Sequence, residues 1–327
     1  MVSRLERGSL VTVFGGSGFL GRHAVRALAQ EGWRVRAAMR RPELAGYLQP
    51  MGCVGQVHAV QANVRYPWSV ERAVEGAQAV VNLAGILAKS GAQNFEAVHV
   101  TGARAIAKAA KEAGAEQLVH VSAIGAGRKS KSNYGRSKWA GEVAALEQFP
   151  GAIVLRPALV FGPEDRLFNR FADMARMLPL LPLIGGGKAS LQPVYVGDVA
   201  AAVAAACAGK GKPGAVYELG GPDLLTWHAL LDQVQVWCGH KRRYVRVPFA
   251  LAKLGALLTL PLPSSWRPLT VDQVRMLQGS IVVSRNAEAN ALTLAGLGVE
   301  TRRAIAGIVP SYLERFQPHG QFAHTQS

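Results

Sequence analysis

Apolar and polar positions along the chain follow two periods. Short β-branched runs predict strands at Ser9 to Phe14, Trp33 to Met39, Val57 to Gln61, Ala79 to Leu83, Gln117 to Ser122 and Ile153 to Arg156. Between them, helical patterning predicts helices from about Phe19 to Glu31 and over Val70 to Glu75, Phe95 to Ala113 and Tyr134 to Gln148. Such alternation implies an α/β fold with a parallel, doubly wound sheet. After Pro157 the pattern becomes irregular, with breaks at Gly162-Pro163, Gly185-Gly186-Gly187 and Gly220-Gly221-Pro222. The expected division is a sheet domain over 1–156 and a smaller C-terminal α/β lobe over 157–327, with later segments, 193–222 among them, returning to the first domain. No internal repeat or low-complexity tract interrupts this order.

The turn after the first strand reads Gly15-Gly16-Ser17-Gly18-Phe19-Leu20-Gly21. It satisfies both GxGxxG (Gly16, Gly18, Gly21) and GxxGxxG (Gly15, Gly18, Gly21). Such a turn lets the backbone approach a pyrophosphate and lets the next helix pack on the sheet. The helix N-terminus presents free N–H groups to the anion. Alone the motif is weak; between a predicted strand and a predicted helix it has the context that a Rossmann dinucleotide site requires. The second strand then ends Met39-Arg40-Arg41-Pro42, with no acid to accept from a ribose 2′-OH. Arg40 and Arg41 suit a 2′-phosphate by charge and by forked geometry, so NADPH is the expected cofactor. The bland alternative is a pair of solvated loop charges.

Composition sharpens this picture. Among 327 residues, Lys+Arg 37 against Asp+Glu 21 gives a formal net charge of +16, while hydrophobic residues make up 49%. That excludes a disordered chain and favours an anionic partner. Cys53, Cys207 and Cys238 are too scattered for a disulfide scaffold or zinc ribbon, and are expected to be buried neutral thiols. No metal is expected. No apolar run of about 18 residues exists, so no spanning helix is expected, and the first residues are not expected to act as a secretory signal.

Six stretches together resemble the extended short-chain dehydrogenase/reductase superfamily over most of the chain. They are the glycine turn, Asn82-Leu83-Ala84-Gly85, Tyr134-Gly135-Arg136-Ser137-Lys138, Arg156 to Pro163, Val194 to Ala200, and Tyr217 to Pro222. Each is modest alone; all six in order are specific. The resemblance implies that Gly15, Gly16, Ser17, Gly18, Phe19, Leu20, Gly21, Arg40, Arg41, Asn63, Ala84, Gly85, Ser122, Tyr134, Lys138 and Pro157 line the cofactor, with Asn63 near the adenine where Asp is commoner. In an active member the lysine holds the nicotinamide ribose and lowers the tyrosine pKa, and the tyrosine moves a proton. Tyr134 and Lys138, four apart, share a helix face.

The rest of the family's catalytic set is altered. The usual Ser or Thr after the fifth strand falls at Ala123 or Ile124 in Val121-Ser122-Ala123-Ile124-Gly125, and neither donates a hydrogen bond. Ser122 is expected to bond backbone at the strand end. The family's helix asparagine is replaced by His99, expected to be a satisfied helix histidine. Tyr134 and Lys138 are therefore vestigial or cofactor-lining.

This departure resembles one atypical branch, related to the 39 kDa accessory subunit of respiratory complex I, in a bacterial form without a mitochondrial presequence. The supporting stretches are Phe14 to Arg22, Gly85-Ile86-Leu87, Val121 to Ala126 and Ile308 to Phe316. That resemblance implies a structural NADPH, other complex I subunits near the quinone site as partners, and a peripheral place on the cytoplasmic side of the bacterial inner membrane.

Charge placement bears on the same question. His240-Lys241-Arg242-Arg243 and Arg246 precede the apolar Phe249 to Leu262 stretch, followed by Trp266 and Arg267. The region 240–267 is expected to rest on an anionic lipid surface, or else to be an ordinary amphipathic helix covering the second lobe. Pro310 to Phe322 would then dock a protein partner. Arg128 to Lys131 is expected to be a mobile, solvated loop. Nucleic acid is not expected, since no stacking platform or binding motif accompanies the charge. Two other functions remain open: an NADP-dependent reductase or epimerase acting on a small molecule, for example in a quinone pathway, and an NADP-sensing regulator.

Overall fold

The computed structural model describes residues 8–89, 91–259 and 269–318. The first half of the chain runs β1 (Leu10–Phe14), α1 (Phe19–Gln30), β2 (Arg34–Met39), β3 (Val57–Gln61), α2 (Pro67–Val74), β4 (Ala79–Asn82), α3 (Gly102–Glu112), β5 (Gln117–Val121), α4 (Asn133–Gln148) and β6 (Ile153–Pro157). Then come β7 (Val160–Phe161), α5 (Leu167–Met177), β8 (Leu180–Ile184), β9 (Ser190–Leu191), β10 (Val194–Tyr195), α6 (Val196–Cys207) and β11 (Val216–Leu219). The chain continues through β12 (Leu225–Thr226), α7 (Trp227–Trp237), β13 (Arg243–Val247), α8 (Phe249–Leu258), α9 (Val271–Met276), α10 (Arg285–Ala289) and α11 (Ile305–Leu313).

Two compact units emerge. The first gathers Met1–Pro157, Val196–Leu219 and Val283–Thr301; the second gathers Ala158–Tyr195, Gly220–Val282 and Arg302–Ser327. The sequence pattern left Val283–Thr301 in the C-terminal lobe. A long-range contact places it in the first unit: Glu218 on β11 accepts the Ser284 N–H at 2.7 Å.

The first unit is a seven-stranded parallel sheet in the order β11-β6-β5-β4-β1-β2-β3. The order reverses beside β1, so β1 and β4 are neighbours, with Phe14 level with Asn82. Helices α1 and α6 pack on each other, as α3 does on α2 and α4. Interior strands read as near-continuous apolar runs because both faces are covered: all four residues of β4 are buried. One core cluster joins Phe14, Val70, Val80, Ile106 and Leu118. At the far edge, Arg156 makes two hydrogen bonds to buried Glu142, at 2.9 and 2.6 Å, and lies 3.9 Å from Glu218. These bonds raise the Arg156 pKa and link α4, β6 and β11.

The second unit is built from two-stranded pieces. β10 pairs with β7 and β13 with β8 in parallel, and β12 pairs with β9 antiparallel. Its core joins Phe161, Phe168, Trp227, Leu230, Val309 and Leu313. Asp165 accepts the Phe168 N–H at 2.6 Å and the Tyr312 hydroxyl at 2.6 Å, fastening α11 to the start of α5.

Several local expectations change. Cys53 is exposed, while Cys207 and Cys238 are buried. Cys53 sits in a surface turn, where the Gln56 side chain accepts its N–H at 2.8 Å. Burial pushes the thiols of Cys207 and Cys238 up, as expected of inert core cysteines. The predicted helix Phe95 to Ala113 divides into a π-helical turn, Glu96–Thr101, and α3. Arg128, Lys129 and Lys131 are exposed as expected, but the loop is pinned: Arg136 donates to the Ser130 carbonyl at 2.7 Å, and the Ser130 N–H to the Gly127 carbonyl at 3.1 Å.

The basic and apolar region acquires a definite shape. Lys241, Arg243 and Arg246 are exposed, but Arg242 turns inward and donates to the Ala175 carbonyl at 2.8 Å, near the end of α5. There it satisfies a helix-end carbonyl that has no partner within the helix. Helix α8 buries only Ala256 and leaves Leu251, Leu254, Leu257 and Leu258 exposed. Residues 260–268, with Trp266 and Arg267, lie outside the described residues, as does the end of the Pro310 to Phe322 segment. Among the described residues, no helix is long and apolar enough to cross a membrane, and no group of His, Cys, Asp and Glu could hold a metal ion.

Candidate functional site

Parallel strands deliver their following loops to one edge of the sheet, and a crevice opens where strand order reverses. That is the case here. Gly15 follows β1, Arg40 follows β2, Asn63 follows β3, and Ala84 and Gly85 follow β4; all line one cleft. Ser17 and Gly18 line it too. So do Arg65, Ile86 and Gln93, which the sequence reading did not single out. Another concavity, lined by Trp68, Glu71, Arg72 and Glu112, gathers none of the motif residues.

The glycine turn is fixed by close approach. Gly15 has φ +80°, which side chains rarely adopt, and its N–H donates to the Ala38 carbonyl at 3.0 Å. A Cβ at Gly21 would lie 2.1 Å from the Gly15 carbonyl oxygen and 2.7 Å from the Gly16 carbonyl carbon. Only a glycine lets α1 start this close to β1. A Cβ at Gly18 meets only the Gly15 oxygen, at 3.2 Å. Gly18 is therefore not demanded by the protein's own packing, although it lines the cleft at the N-cap of α1. Tyr47 donates to the Ser17 carbonyl at 2.8 Å, and Arg22 lies over the Tyr47 ring at 4.9 Å, bracing the turn from outside.

Both expected arginines are exposed; Arg40 lines the cleft, whereas Arg41 stands outside its lining and leads into a short 3-10 turn. Among the described residues the lining holds two guanidinium groups, Arg40 and Arg65, and no carboxylate. Gly16, Phe19, Leu20 and Gly21 build the turn from behind rather than line the cleft. Pro157 ends β6, where its carbonyl accepts the Ile124 N–H at 2.9 Å.

A second group of side chains assembles between α4 and the π-helical turn. Ser132 caps α4, accepting the Gly135 N–H at 2.9 Å. Lys138 is buried and donates to the Val121 carbonyl at 2.7 Å. Burial lowers its pKa to about 8, opposed by Glu142. Tyr134 stands edge-on to Phe95 and His99, with ring centres 6.2 and 5.6 Å away. Burial pushes its hydroxyl up to about 12. The lowering that the family resemblance implied for this tyrosine is therefore not a property of the protein without its ligand.

His99 is satisfied on both sides, as expected. Its Nε2 accepts the Ile86 N–H at 3.0 Å, which places the proton of the neutral ring on Nδ1, 2.8 Å from Ser137 Oγ. Ser137 in turn donates to the Tyr134 carbonyl at 2.8 Å. Burial, then nearby Lys138, lowers the His99 pKa to about 3. His99 thus clamps the Ala84–Ile86 loop to α4. The buried Asn82 is fixed similarly: its Oδ1 accepts the Ala84 N–H at 3.0 Å, and its amide lies 3.1 Å from His120 Nδ1.

Ser122 departs from expectation. Its N–H donates to the Leu155 carbonyl at 2.7 Å, but its hydroxyl is buried with no hydrogen-bond partner among the described residues. Ser122 lies one residue beyond β5, so the ladder engages its backbone and leaves Oγ aside. A Cβ at Gly85 would come within 3.9 Å of Lys138 Nζ and 3.7 Å of His99 Nε2. The glycine turn, the cationic lining, the orphaned hydroxyl and this space beside Lys138 fit a nicotinamide dinucleotide.

Residues 11–220 match the NAD dependent epimerase/dehydratase family. The chain is 38% identical to the Arabidopsis thaliana protein named NADH dehydrogenase (ubiquinone) 1 alpha subcomplex subunit 9, mitochondrial, over 86% of this chain and 72% of that one. It is 33% identical to a ceramide reductase of Caulobacter vibrioides, over 80% and 79% of the respective chains. Among solved structures, the NADPH-dependent quinone oxidoreductase of Escherichia coli in complex with NADPH superposes with a TM-score of 0.71 at 20% identity, covering 93% of this chain and 99% of that one. At that identity the likeness concerns the fold.

Proposed function

Because the chain belongs to the NAD dependent epimerase/dehydratase family, we propose that it is an NADPH-binding accessory subunit of a membrane NADH:ubiquinone oxidoreductase, in which the cofactor serves mainly to hold the fold. The observation that carries this reading is an imbalance within the site. The cradle is complete, from Gly15 and Gly21 to Lys138, but the proton apparatus is not. Position 123 is Ala, His99 is committed on both nitrogens, and the Tyr134 hydroxyl is pushed up to about 12. A general acid–base group works best with its pKa near the operating pH. The relative named as a complex I subunit supports the same assignment.

In this reading Arg40 meets the adenosine phosphate, the turn at Gly15 to Gly21 receives the pyrophosphate, and Lys138 holds the ribose. Bound NADPH would supply a hydride to an acceptor; the residues around it here bind, orient and exclude water. Partners are other complex I subunits near the quinone site. Exposed Leu251, Leu254, Leu257 and Leu258, with Lys241, Arg243 and Arg246 before them, would rest on anionic lipid at the cytoplasmic side of a bacterial inner membrane. Neither signal suffices alone, since a short apolar face is a weak anchor and each cation adds about 1 kcal/mol near an anionic surface.

A second reading, an NADP-dependent reductase of a small molecule, is favoured by the orphaned Ser122 hydroxyl and by the ceramide reductase relative. One experiment separates them. The protein is extracted from native membranes with mild detergent, alongside a variant with Lys241, Arg243 and Arg246 changed to Gln. Complex I subunits should copurify with stoichiometric NADPH, and the variant should leave the membrane at lower salt. Multiple turnover of NADPH that disappears in Tyr134→Phe, with no companions, would establish the second reading instead.

A further inference from the structure

The cleft places an arginine that the sequence motif does not point to. Arg65 follows β3, two residues beyond Asn63, and lines the same cleft as Arg40. β2 and β3 are paired neighbours, with Met39 level with Gln61, so the loops bearing the two arginines leave the sheet side by side. The Arg65 Nε is buried and has no hydrogen-bond partner among the described residues. Its guanidinium lies over the Tyr66 ring at 5.5 Å, and its backbone N–H donates to Asn63 Oδ1 at 3.2 Å, fixing the loop. A buried donor without an acceptor is unfavourable, and an anionic ligand would satisfy it. The local charge agrees: Asn63 is neutral, and among the described residues no carboxylate lines the cleft. Arg40 and Arg41 are both exposed, but Arg41 lies outside the lining.

We propose that Arg65, together with Arg40, recognises the 2′-phosphate of NADPH, and that Arg41 takes no part. This rests on the reading of NADPH as the cofactor. The phosphate monoester would meet two forked donors from adjacent loops, one lying over an aromatic ring.

The test uses ligand fragments and calorimetry, with no turnover required. Adenosine 2′,5′-bisphosphate and AMP are titrated into the unaltered protein, Arg65→Gln, Arg65→Lys and Arg41→Gln, each checked for an unchanged thermal melt. The unaltered protein should favour the bisphosphate. Arg65→Gln should weaken the bisphosphate about tenfold or more while leaving AMP within about twofold. Arg65→Lys should recover part of the loss through its charge, and Arg41→Gln should resemble the unaltered protein. Loss confined to Arg41→Gln, or an equal loss for both ligands in Arg65→Gln, overturns the assignment. If the unaltered protein binds both ligands equally, the NADPH reading fails and takes this inference with it.

Discussion

Gly18 and Gly21 stand three residues apart in one turn, yet a methyl group would meet different surroundings at each. At Gly21 it would strike backbone, 2.1 Å from the Gly15 oxygen, and backbone cannot step aside. At Gly18 it would touch one atom at 3.2 Å and otherwise stand in the cleft. Gly21→Ala should therefore cost stability, about 1–3 kcal/mol as for other overpacked sites, and lose the dinucleotide as a consequence. Gly18→Ala should melt within about 1 kcal/mol of the unaltered protein and still bind NADPH weakly, because the added carbon lies where the pyrophosphate approaches. Thermal melts beside NADPH titrations separate the two effects. Equal destabilisation by both substitutions would contradict this assignment of roles.

Helix α4 gathers more of the site than any other element. Ser132 caps its start, Tyr134 and Ser137 face His99, Lys138 donates to the Val121 carbonyl, and Glu142 accepts from Arg156. The helix approaches the π-helical turn Glu96–Thr101 so closely that a Cβ at Gly141 would lie 2.2 Å from the His99 carbonyl oxygen. π-turns insert an extra residue into a helix and are common at functional sites; here the turn carries the histidine that holds the Ile86 N–H. Gly141→Ala should force the two elements apart. The expected cost is about 1–3 kcal/mol, with faster amide exchange at Ile86 as the His99 bond loosens. Hydrogen exchange read at that amide is the decisive measurement; protection unchanged from the parent would show that α4 does not position His99.

At the scale of the whole molecule, two buried histidines make folding sensitive to acid. His99 and His120 are both held to about 3, by burial first and then by Lys138. Their unfolded value is about 6.5. A base whose folded pKa is depressed takes up a proton on unfolding, so stability falls as pH drops from 6.5 towards 3. The slope is about 1.4 kcal/mol per pH unit for each histidine once the unfolded chain is protonated. Melting temperature should therefore fall steeply between pH 6.5 and 5, and His120→Gln should show roughly half the slope. A flat profile over that window would mean that the histidines bind protons in the folded state.

Much of this protein was legible in the chain itself. Interior strands of a parallel sheet are buried on both faces, so Leu10 to Phe14 and Ala79 to Asn82 stand out as apolar runs without any structure. A glycine turn between a strand and a helix has few other uses, and the doubly wound sheet with its dinucleotide cleft follows. Local pattern carries such features because strand and helix formation depend on residues near one another. Tertiary contact decided what depends on distant residues. Val283–Thr301 joins the first unit through Glu218 and Ser284, 66 positions apart. Arg242 is spent on the end of α5, and Arg65 rather than Arg41 lines the cleft with Arg40. A lone cation looks the same in sequence whether it is solvated, capping a helix or lining a cleft; only the fold, by bringing a carbonyl or a cavity to it, settles which.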